Sequence, residues 1–286
     1  MAIRQSIRGL ERQRQNIELL RAAMARLQGL PDDRGFDFFA ALHGLALPFW
    51  CEHGTQLFLP WHRAYLYYFE LALQSRLAPG FVERPPEEPG FAEVGLPWWD
   101  WSAAQSHADG IPESYAADVV GGVPNPLAGS AIGTGVSPLF TGVWSSALLQ
   151  AVRAQIPGAI TADDPPRTLR DPDDADELPQ PGTVSDIVLQ QNTFTTFTTS
   201  LEQVHDDVHV WVGGSMSSVP TSAYDPIFWS HHCMIDRLWY IWQLSALGAD
   251  PPPALLDRVL APFPMTVRQT LDIETLGYDY AVELVA

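Results

Sequence analysis

The segment DPIFWSHHCMIDRLW, residues 225–239, predicts a buried helix that carries two adjacent histidines. Asp225 and Pro226 suit a helix start, because aspartate caps free backbone amides and proline lacks the amide hydrogen that would stay unpaired there. The residues that follow are apolar and aromatic on every face, as expected of a helix inside a hydrophobic core. His231 and His232 would therefore lie in that core, where an imidazole can bind a metal ion.

A second pair of histidines lies upstream, in the motif LEQVHDDVH. His205 and His209 are four residues apart, which places them on one face of a helix, one turn from each other. Apolar residues recur at helical spacing over residues 194–212. One histidine of the downstream pair would complete a set of three. Since adjacent side chains on a helix point about 100° apart, spacing alone does not decide between His231 and His232.

Three more histidines, His43, His53 and His62, form a set in the first quarter of the chain. The segment GFDFFAALHG predicts a short helix that ends at His43, before a glycine stop. Pro60 predicts the start of another helix with His62 in its first turn, so His53 lies in the loop before it. Two sets of three imidazoles, without a carboxylate or thiolate among the ligands, favour a pair of copper ions and a site for dioxygen.

Four long motifs in the chain together resemble one known family. The segments CEHGTQLFLPWHRAYLYYFE, PWWDW and VHDDVHVWVGG, together with the one quoted first, resemble the tyrosinase and polyphenol oxidase family of type 3 dicopper proteins. Catechol oxidases and mollusc haemocyanins belong to the same group. The copper ligands that the resemblance implies are His43, His53 and His62 for one ion, and His205, His209 and His232 for the other. His231 becomes a neighbour of the site.

The resemblance also implies roles for residues beside the ligands. Cys51 precedes His53 by two residues, as in fungal tyrosinases and haemocyanins, where a thioether bond joins the sulfur to the imidazole. Glu202 matches a glutamate that holds a water able to accept the proton of a phenol. Asp206 stands where many members have asparagine, and it would orient that water or act as the base itself. We therefore expect Glu202 and Asp206 to be catalytic.

Three further residues are expected around the metal pair. Phe228 lies four residues before His232 and should pack over the site, where it would position the substrate. Val210 is small where relatives often have bulkier or charged side chains, which suggests an open entrance without a cation for a substrate carboxylate. Asp236 lies four residues after His232 and is a natural acceptor for an imidazole N–H. The alternative for Asp236 is a structural ion pair with an arginine.

We expect residues 1–286 to form a single tyrosinase-like copper domain with a mainly α fold. A central antiparallel helix bundle would hold the dinuclear site, surrounded by long irregular loops and a few short strands. The predicted helices cover residues 4–28, 36–43, 60–78, 194–212 and 226–246. The Gly/Pro-rich region from Trp101 to Asp186 should form extended loops. Many relatives continue into a lid domain, so this chain should be a short form without a C-terminal lid.

Charge and composition limit the partners. A net charge of −18 and a pI near 4.6 argue against nucleic acid and anionic membranes, which both need basic surfaces. The N-terminus lacks the apolar core of a signal peptide, so we expect a cytoplasmic protein, with carrier-assisted export as the alternative. Two cysteines make structural disulfides improbable. The expected partners are a small phenolic or aminophenolic substrate and a copper-delivery protein.

The predicted function is copper-dependent oxidation of phenols with O2 as co-substrate. It would combine ortho-hydroxylation of monophenols with oxidation of o-diphenols to o-quinones. A catechol oxidase or an o-aminophenol oxidase without monophenolase activity is the first alternative, because the ligands would be the same. A haemocyanin-like O2 carrier is a more remote alternative, since carriers shield the site with an added domain.

Overall fold

The computed structural model describes residues 1–44, 49–133, 146–155, 158–163 and 165–282. Its α-helices in these residues are Ile7–Glu11 (α1), Arg14–Gln28 (α2), Phe36–His43 (α3), Phe58–Leu73 (α4), Ala104–Asp109 (α5), Glu113–Ala116 (α6), Ser146–Gln155 (α7), Pro181–Gln190 (α8), Phe194–Val212 (α9), Val219–Ser222 (α10) and Ile227–Leu244 (α11). The strands are Ala2–Arg4 (β1), Leu77–Ala78 (β2), Val82–Glu83 (β3), Val119–Val120 (β4), Val123–Pro124 (β5) and Tyr278–Tyr280 (β6). They pair as β1–β6, β2–β3 and β4–β5.

The predicted mainly α fold is confirmed. α11 packs against α4, α8 and α9, and α4 also contacts α2 and α9. α4 and α11 are buried along most of their length, as their all-round apolar composition requires. None of the helices in the described ranges is long and apolar enough to cross a membrane.

Most predicted helix boundaries agree with the structure, and α4 differs for a physical reason. The helices predicted at 36–43 and 194–212 are found with those bounds. α4 begins at Phe58, so Pro60 is its third residue instead of its first. Proline is tolerated there because the first four amides of a helix have no partner within the helix. The helix also ends at Leu73, and the segment predicted to continue it contains strand β2.

The predicted helix at residues 4–28 is wrong at its start. Ala2–Arg4 is instead a strand that pairs in parallel with Tyr278–Tyr280. Ser6 then caps α1, because its hydroxyl oxygen accepts a hydrogen bond from Gly9 N at 2.9 Å. The extended β1 segment carries Arg4 into the core, where its side chain is fully buried.

A buried group of charges joins α4, α11 and the two terminal strands. Asp236 on α11 accepts hydrogen bonds from Arg63 Nε at 2.5 Å, from Arg4 Nη1 at 2.9 Å and from Tyr278 Oη at 2.8 Å. Arg4 also contacts Glu70 of α4 at 3.1 Å. The prediction that Asp236 accepts from an imidazole is therefore wrong, and its alternative, an ion pair with arginine, is what the structure contains. The carboxylate of Asp236 faces the guanidinium groups of Arg4 and Arg63. These groups are fully buried, so they have no water around them and need a negative charge nearby.

We expect Asp236→Asn to lower the free energy of unfolding of the metal-free protein by about 3–5 kcal/mol at pH 7, because it leaves two buried guanidinium groups without their shared anion. Urea denaturation measures the change. Burial alone would raise the pKa of Asp236, but the charges of Arg63 and Arg4 hold it below its usual value of 3.8. The stabilisation is thus present above pH 3.8 and lost as the pH falls through the lower folded-state pKa.

The matched control is Asp257→Asn, which breaks an exposed pair with Arg268 whose side chains are 83% and 56% accessible. An exposed ion pair contributes little, so this variant should unfold like the parent. Equal stability of Asp236→Asn and Asp257→Asn would contradict the role given to the buried group.

Candidate metal centre

Six histidines predicted as ligands lie together where four helices and one loop meet. α3 supplies His43 at its last position, the loop before α4 supplies His53, and α4 supplies His62. The ligands predicted for the second ion are His205 and His209 on α9, and His232 on α11. All but one of the six are buried, and His53 is half-buried. The tertiary structure thus brings into contact side chains that are up to 189 residues apart in the sequence, from His43 to His232.

Two glycines let other segments reach the ends of the ligand-bearing helices. A Cβ atom on Gly44, which follows His43, would lie 2.3 Å from the carbonyl oxygen of Pro220. Gly213 ends α9 with a φ of 66°, and a Cβ there would lie 2.2 Å from the carbonyl oxygen of Asp171. The predicted glycine stops are therefore found, and each also allows a backbone approach that no side chain would permit.

The first set of histidines is compact. Ring centroids lie 5.1 Å apart for His43 and His53, 5.6 Å for His43 and His62, and 5.1 Å for His53 and His62. The Nε2 atoms of His43 and His62 are buried without a hydrogen-bond partner. A buried polar atom without a partner costs free energy. A metal ion that takes both lone pairs removes this cost.

The second set has the spacing of ligands around one ion. His232 Nε2 lies 3.2 Å from His205 Nε2 and 3.3 Å from His209 Nε2. Imidazole nitrogens that bind one metal ion at about 2.0–2.1 Å in tetrahedral geometry are roughly 3.3 Å apart. The two sets adjoin, since the rings of His62 and His232 stack with centroids 4.6 Å apart. The donor type therefore fits a pair of copper ions, and the donor spacing of the second set fits one of them.

Hydrogen bonds at the other ring nitrogen orient the imidazoles. Nδ1 of His62 lies 2.8 Å from the carbonyl oxygen of Phe58, one turn earlier on α4. Nδ1 of His209 lies 2.8 Å from the carbonyl oxygen of Met216. Because a carbonyl oxygen only accepts, Nδ1 carries the hydrogen in both rings, and Nε2 keeps its lone pair for a metal.

Asp206, and not Asp236, is the carboxylate that contacts an imidazole nitrogen of a predicted ligand. Its Oδ1 lies 2.9 Å from Nδ1 of His205, so a carboxylate orients this imidazole as well. The side chain is 66% accessible and reaches the cavity described below. Burial and the charge of Asp207 raise the pKa of Asp206.

Burial also sets the charge of the ligands. It lowers the pKa of all six imidazoles, and neighbouring histidines lower it further in most of them. The pKa of His53 falls to about 4, as does that of His209. At neutral pH the rings are therefore uncharged, which is the form that binds a metal ion.

His231 is a fourth histidine beside the second set. Its ring stacks on that of His205 with centroids 5.1 Å apart and planes at 20°. Ligand atoms of His205, His209, His231 and His232 lie within 4.8 Å of one another. His232 Nε2 is the atom within 3.3 Å of both Nε2 atoms on α9, which agrees with its choice as the ligand. The assignment of all six ligands stays a prediction.

Cys51 lies beside the first set. Its sulfur and the ring nitrogens of His43 and His53 are within 4.8 Å of one another. The thiol donates to the carbonyl oxygen of His43 at 3.2 Å, and burial raises its pKa to about 12. The thioether with His53 stays a prediction.

A cavity of about 490 Å³ opens onto the two sets. Its wall contains His43, His53, Gly54, Thr199, Glu202, Gln203, His205, Asp206, His209, Val210, Met216, Ser217, Val219 and Ser222. Glu202 Oε1 accepts a hydrogen bond from Gly54 N at 2.6 Å, and burial raises the pKa of this carboxyl to about 7. Val210 is 63% exposed at the wall, as predicted for an open entrance. Its contact with a substrate stays a prediction.

Phe228 is not on the cavity wall, so its predicted contact with the substrate is wrong. The side chain is fully buried. Its ring centroid lies 4.0 Å from that of His232, 4.8 Å from that of His43 and 5.8 Å from that of His209. Because it lies one turn from His232 on a core helix, it packs behind the imidazoles and limits their rotation.

Residues 33–245 match the common central domain of tyrosinase, which is more than half of the chain. The chain belongs to the tyrosinase family. The tyrosinase of Streptomyces glaucescens is 33% identical over 216 residues, which cover 71% of this chain and 68% of that protein. The A-type haemocyanin of Enteroctopus dofleini is 29% identical over 261 residues, which cover 84% of this chain and 18% of the haemocyanin.

Solved structures of the tyrosinase family share the fold. A functional unit of octopus haemocyanin has a TM-score of 0.71 at 24% identity, over 98% of this chain and 68% of that chain. An active tyrosinase of Aspergillus oryzae, complexed with L-tyrosine, has a TM-score of 0.68 at 19% identity, over 98% and 93%. With tyrosinases among its relatives, the chain is a dicopper oxidoreductase of the tyrosinase type.

Sequence reasoning missed the backbone groups of this tyrosinase site. The carbonyl oxygen of Phe58 could have been found, because it lies four residues before His62 on one helix. The carbonyl oxygen of Met216 and the amide of Gly54 carry no side-chain signal, so only the fold reveals them. The same is true of the cavity wall formed by Thr199, Gln203, Ser217, Val219 and Ser222.

The adjacent histidines provide a matched test of the ligand set. We expect His232→Gln to lower the copper content from two equivalents to one, because the second ion loses a ligand. His231→Gln should keep two, since its ring only neighbours the ion. Atomic absorption on dialysed protein measures both. Loss of copper from His231→Gln with retention by His232→Gln would reverse the assignment.

The thioether has a mass signature. If Cys51 sulfur bonds to a ring carbon of His53, copper-loaded protein should be lighter than its sequence mass by two hydrogen atoms. Intact-mass spectrometry should find this loss in the parent and in Cys233→Ser, and should not find it in Cys51→Ser. A parent at full sequence mass would exclude the bond.

Proposed function

We propose that this chain oxidises phenols with O2, by ortho-hydroxylating monophenols and oxidising o-diphenols to o-quinones. The observation that carries the proposal is the cavity that ends on both imidazole sets, with Glu202 and Asp206 on its wall. Its volume of about 490 Å³ is within the usual range for small-molecule sites. The relatives named tyrosinase support the same reaction.

The proposed holders of the two copper ions are His43, His53 and His62, and His205, His209 and His232. Bound there, the ions supply the activation of O2 and the removal of electrons from the phenol. The chain itself holds the imidazoles in position and excludes water from the buried side of the site. Phe228 and the Nδ1 hydrogen bonds do this by limiting ring rotation.

Glu202 is the proposed acceptor of the phenol proton, directly or through a water molecule. The Gly54 amide fixes its Oε1 against the cavity wall. Burial, opposed by that hydrogen bond and assisted by the charge of Asp206, raises the pKa of Glu202 to about 7. A base whose pKa lies near the operating pH is effective in proton transfer. Asp206 holds His205 and, beside Glu202, would orient the same water.

The rest of the proposal concerns the chain as a whole. Residues 1–286 are treated as one domain, which is supported by one continuous core that includes side chains from Ala2 to Tyr280. A small phenolic or aminophenolic substrate, a copper-delivery protein and a cytoplasmic location remain part of the proposal. The haemocyanin relatives make O2 carriage the alternative that an activity test must exclude.

The test is O2 consumption by copper-loaded protein, first with tyramine and then with dopamine, after the bound copper has been counted. Turnover of both substrates with two coppers per chain is the expected result. Turnover of dopamine alone would indicate a catechol oxidase. Reversible O2 binding without turnover of either phenol or of an o-aminophenol would indicate a carrier.

We expect Glu202→Gln to lower monophenol turnover at least tenfold more than diphenol turnover, because loss of a general base typically costs about 10²–10⁴-fold. Since the deprotonated carboxylate is the base, the monophenol-to-diphenol rate ratio should rise with pH through about 7 in the parent. The glutamine variant should not show this rise. The double variant Glu202→Gln/Gln203→Glu has a carboxylate one position further along the helix. It should not restore the ratio of the parent. An unchanged ratio in Glu202→Gln would remove this residue from proton transfer.

A further inference from the structure

The cavity has an unusually one-sided charge. The wall residues that the structure describes all come from residues 36–62 or 194–222, and the sequence of these two segments contains no lysine or arginine. The same segments contain five acids, which are Asp37, Glu52, Glu202, Asp206 and Asp207. Two of these acids, Glu202 and Asp206, are on the wall itself.

We propose that this cavity selects phenols whose side chain ends in a cationic amine over phenols of the same shape that end in a carboxylate. The inference rests on the proposed function and specifies its substrate class. The reacting hydroxyl must face the imidazoles at the inner end of the cavity. A substituent para to that hydroxyl therefore extends outward, past the exposed carboxylate of Asp206 and the exposed side chain of Val210.

Electrostatics then separates substrates that bind their ring equally well. An ammonium group near Asp206 gains attraction, and a carboxylate there meets repulsion, with no lysine or arginine among the described wall residues to offset it. The proposed copper ions would lie at the inner end, where the hydroxyl binds, and not beside the outward substituent. The two effects have opposite signs, so they add when the two kinds of substrate are compared. Because the acids are near the surface, salt screens the difference, and the Debye length falls from about 10 Å at 0.1 M to about 3 Å at 1 M.

Three o-diphenols of matched shape test the selection: dopamine, which is cationic, 4-ethylcatechol, which is neutral, and 3-(3,4-dihydroxyphenyl)propionate, which is anionic. We expect kcat/KM to fall in that order, by about tenfold from first to last at low salt. The span should shrink at 1 M salt. An anion turned over as efficiently as the cation would overturn the inference.

Failure of the proposed function gives a different result. If none of the three compounds is turned over, oxidation of o-diphenols is refuted, whatever the charge preference. Dissociation constants of the same three compounds, measured by anaerobic calorimetry on copper-loaded protein, still decide the selection. The cation should bind most tightly and the anion least. The reverse order or equal affinities would reject it.

Variants at the entrance locate the effect. Val210→Arg adds a cation at an exposed wall position. It should raise kcat/KM for the anionic substrate, relative to that for the cationic one, at least tenfold. The neutral control Val210→Gln should leave this ratio near that of the parent. Asp206→Asn should also raise the ratio, more than Asp207→Asn, which is off the wall. Because every rate is divided by that of 4-ethylcatechol, a general loss of activity does not mimic the change. An unaltered ratio in Val210→Arg would reject an electrostatic entrance.

A second inference rests on a different observation, the scarcity of nucleophiles. All 16 basic residues are arginine, and the chain contains no lysine. Cys233 is fully buried, and the part-buried Cys51 thiol donates to a backbone carbonyl within the first histidine set. Met1 is 65% exposed, so an amino group on residue 1 is accessible to solvent.

We infer that the chain resists covalent modification by the o-quinone that the proposed function would release. An amine adds to a quinone ring with formation of a C–N bond, the amine loses a proton, and the ring is reduced to the catechol. The guanidinium group of arginine stays protonated and does not add in this way at neutral pH. The product can therefore diffuse from the cavity without attaching to its own enzyme.

Chemically generated quinone tests this inference without any enzyme activity. Copper-loaded protein treated at pH 7.5 with 4-methyl-o-quinone, made with periodate that is then removed, should gain one adduct, at the N-terminal amine. Arg12→Lys, at an exposed position, should gain a second adduct, and its control Arg12→Gln should not. Peptide mapping locates the adducts. Several adducts on the parent, at histidines or cysteines, would overturn the inference.

Discussion

The buried ion pair between Arg63 and Asp236 is the interaction on which the metal centre depends. Arg63 directly follows His62 on α4, and Asp236 lies one turn after His232 on α11. The pair therefore ties together the two helices at the level where each contributes a ligand, and it fixes the separation of His62 and His232. Arg4 extends the same group to the N-terminal strand. A change in the packing of the terminal strands would therefore alter the positions of the predicted copper ligands His62 and His232.

Burial imposes the second constraint. Uncharged imidazoles pack among aromatic rings at modest cost, whereas charged ones would not, and their lowered pKa values express this preference. Each ring still has two nitrogens to satisfy. In three rings, Nδ1 forms a hydrogen bond with a backbone carbonyl oxygen or with Asp206. The lone pair of Nε2 in these rings is then available to a metal ion. The centre is therefore polarised before any metal arrives, with hydrogen-bond donors directed outward and lone pairs inward.

The sequence predicted those features that depend on local pattern. The helices at Phe36–His43 and Phe194–Val212, and the grouping of six histidines, follow from periodicity and from long motifs. The choice of His232 over His231 needed the family resemblance, because adjacent residues differ only in direction. The sequence did not predict the long-range contacts. β1 pairs with a strand 276 residues away, so the residues near Arg4 in sequence do not indicate that its side chain lies in the core. Asp236 and Phe228 were misassigned because helical spacing identifies a face and does not say what packs against it.

The depth of the ligands has a consequence for exchange at the centre. Four of the six imidazoles, those of His43, His53, His205 and His209, are on the cavity wall, and the other two, His62 and His232, lie behind them. An ion that enters through the cavity would therefore meet the outer rings first, and an ion that leaves would pass them last. Organic ligands use the same opening. A phenol bound there, as proposed, would block this opening and slow the loss of copper to a chelator.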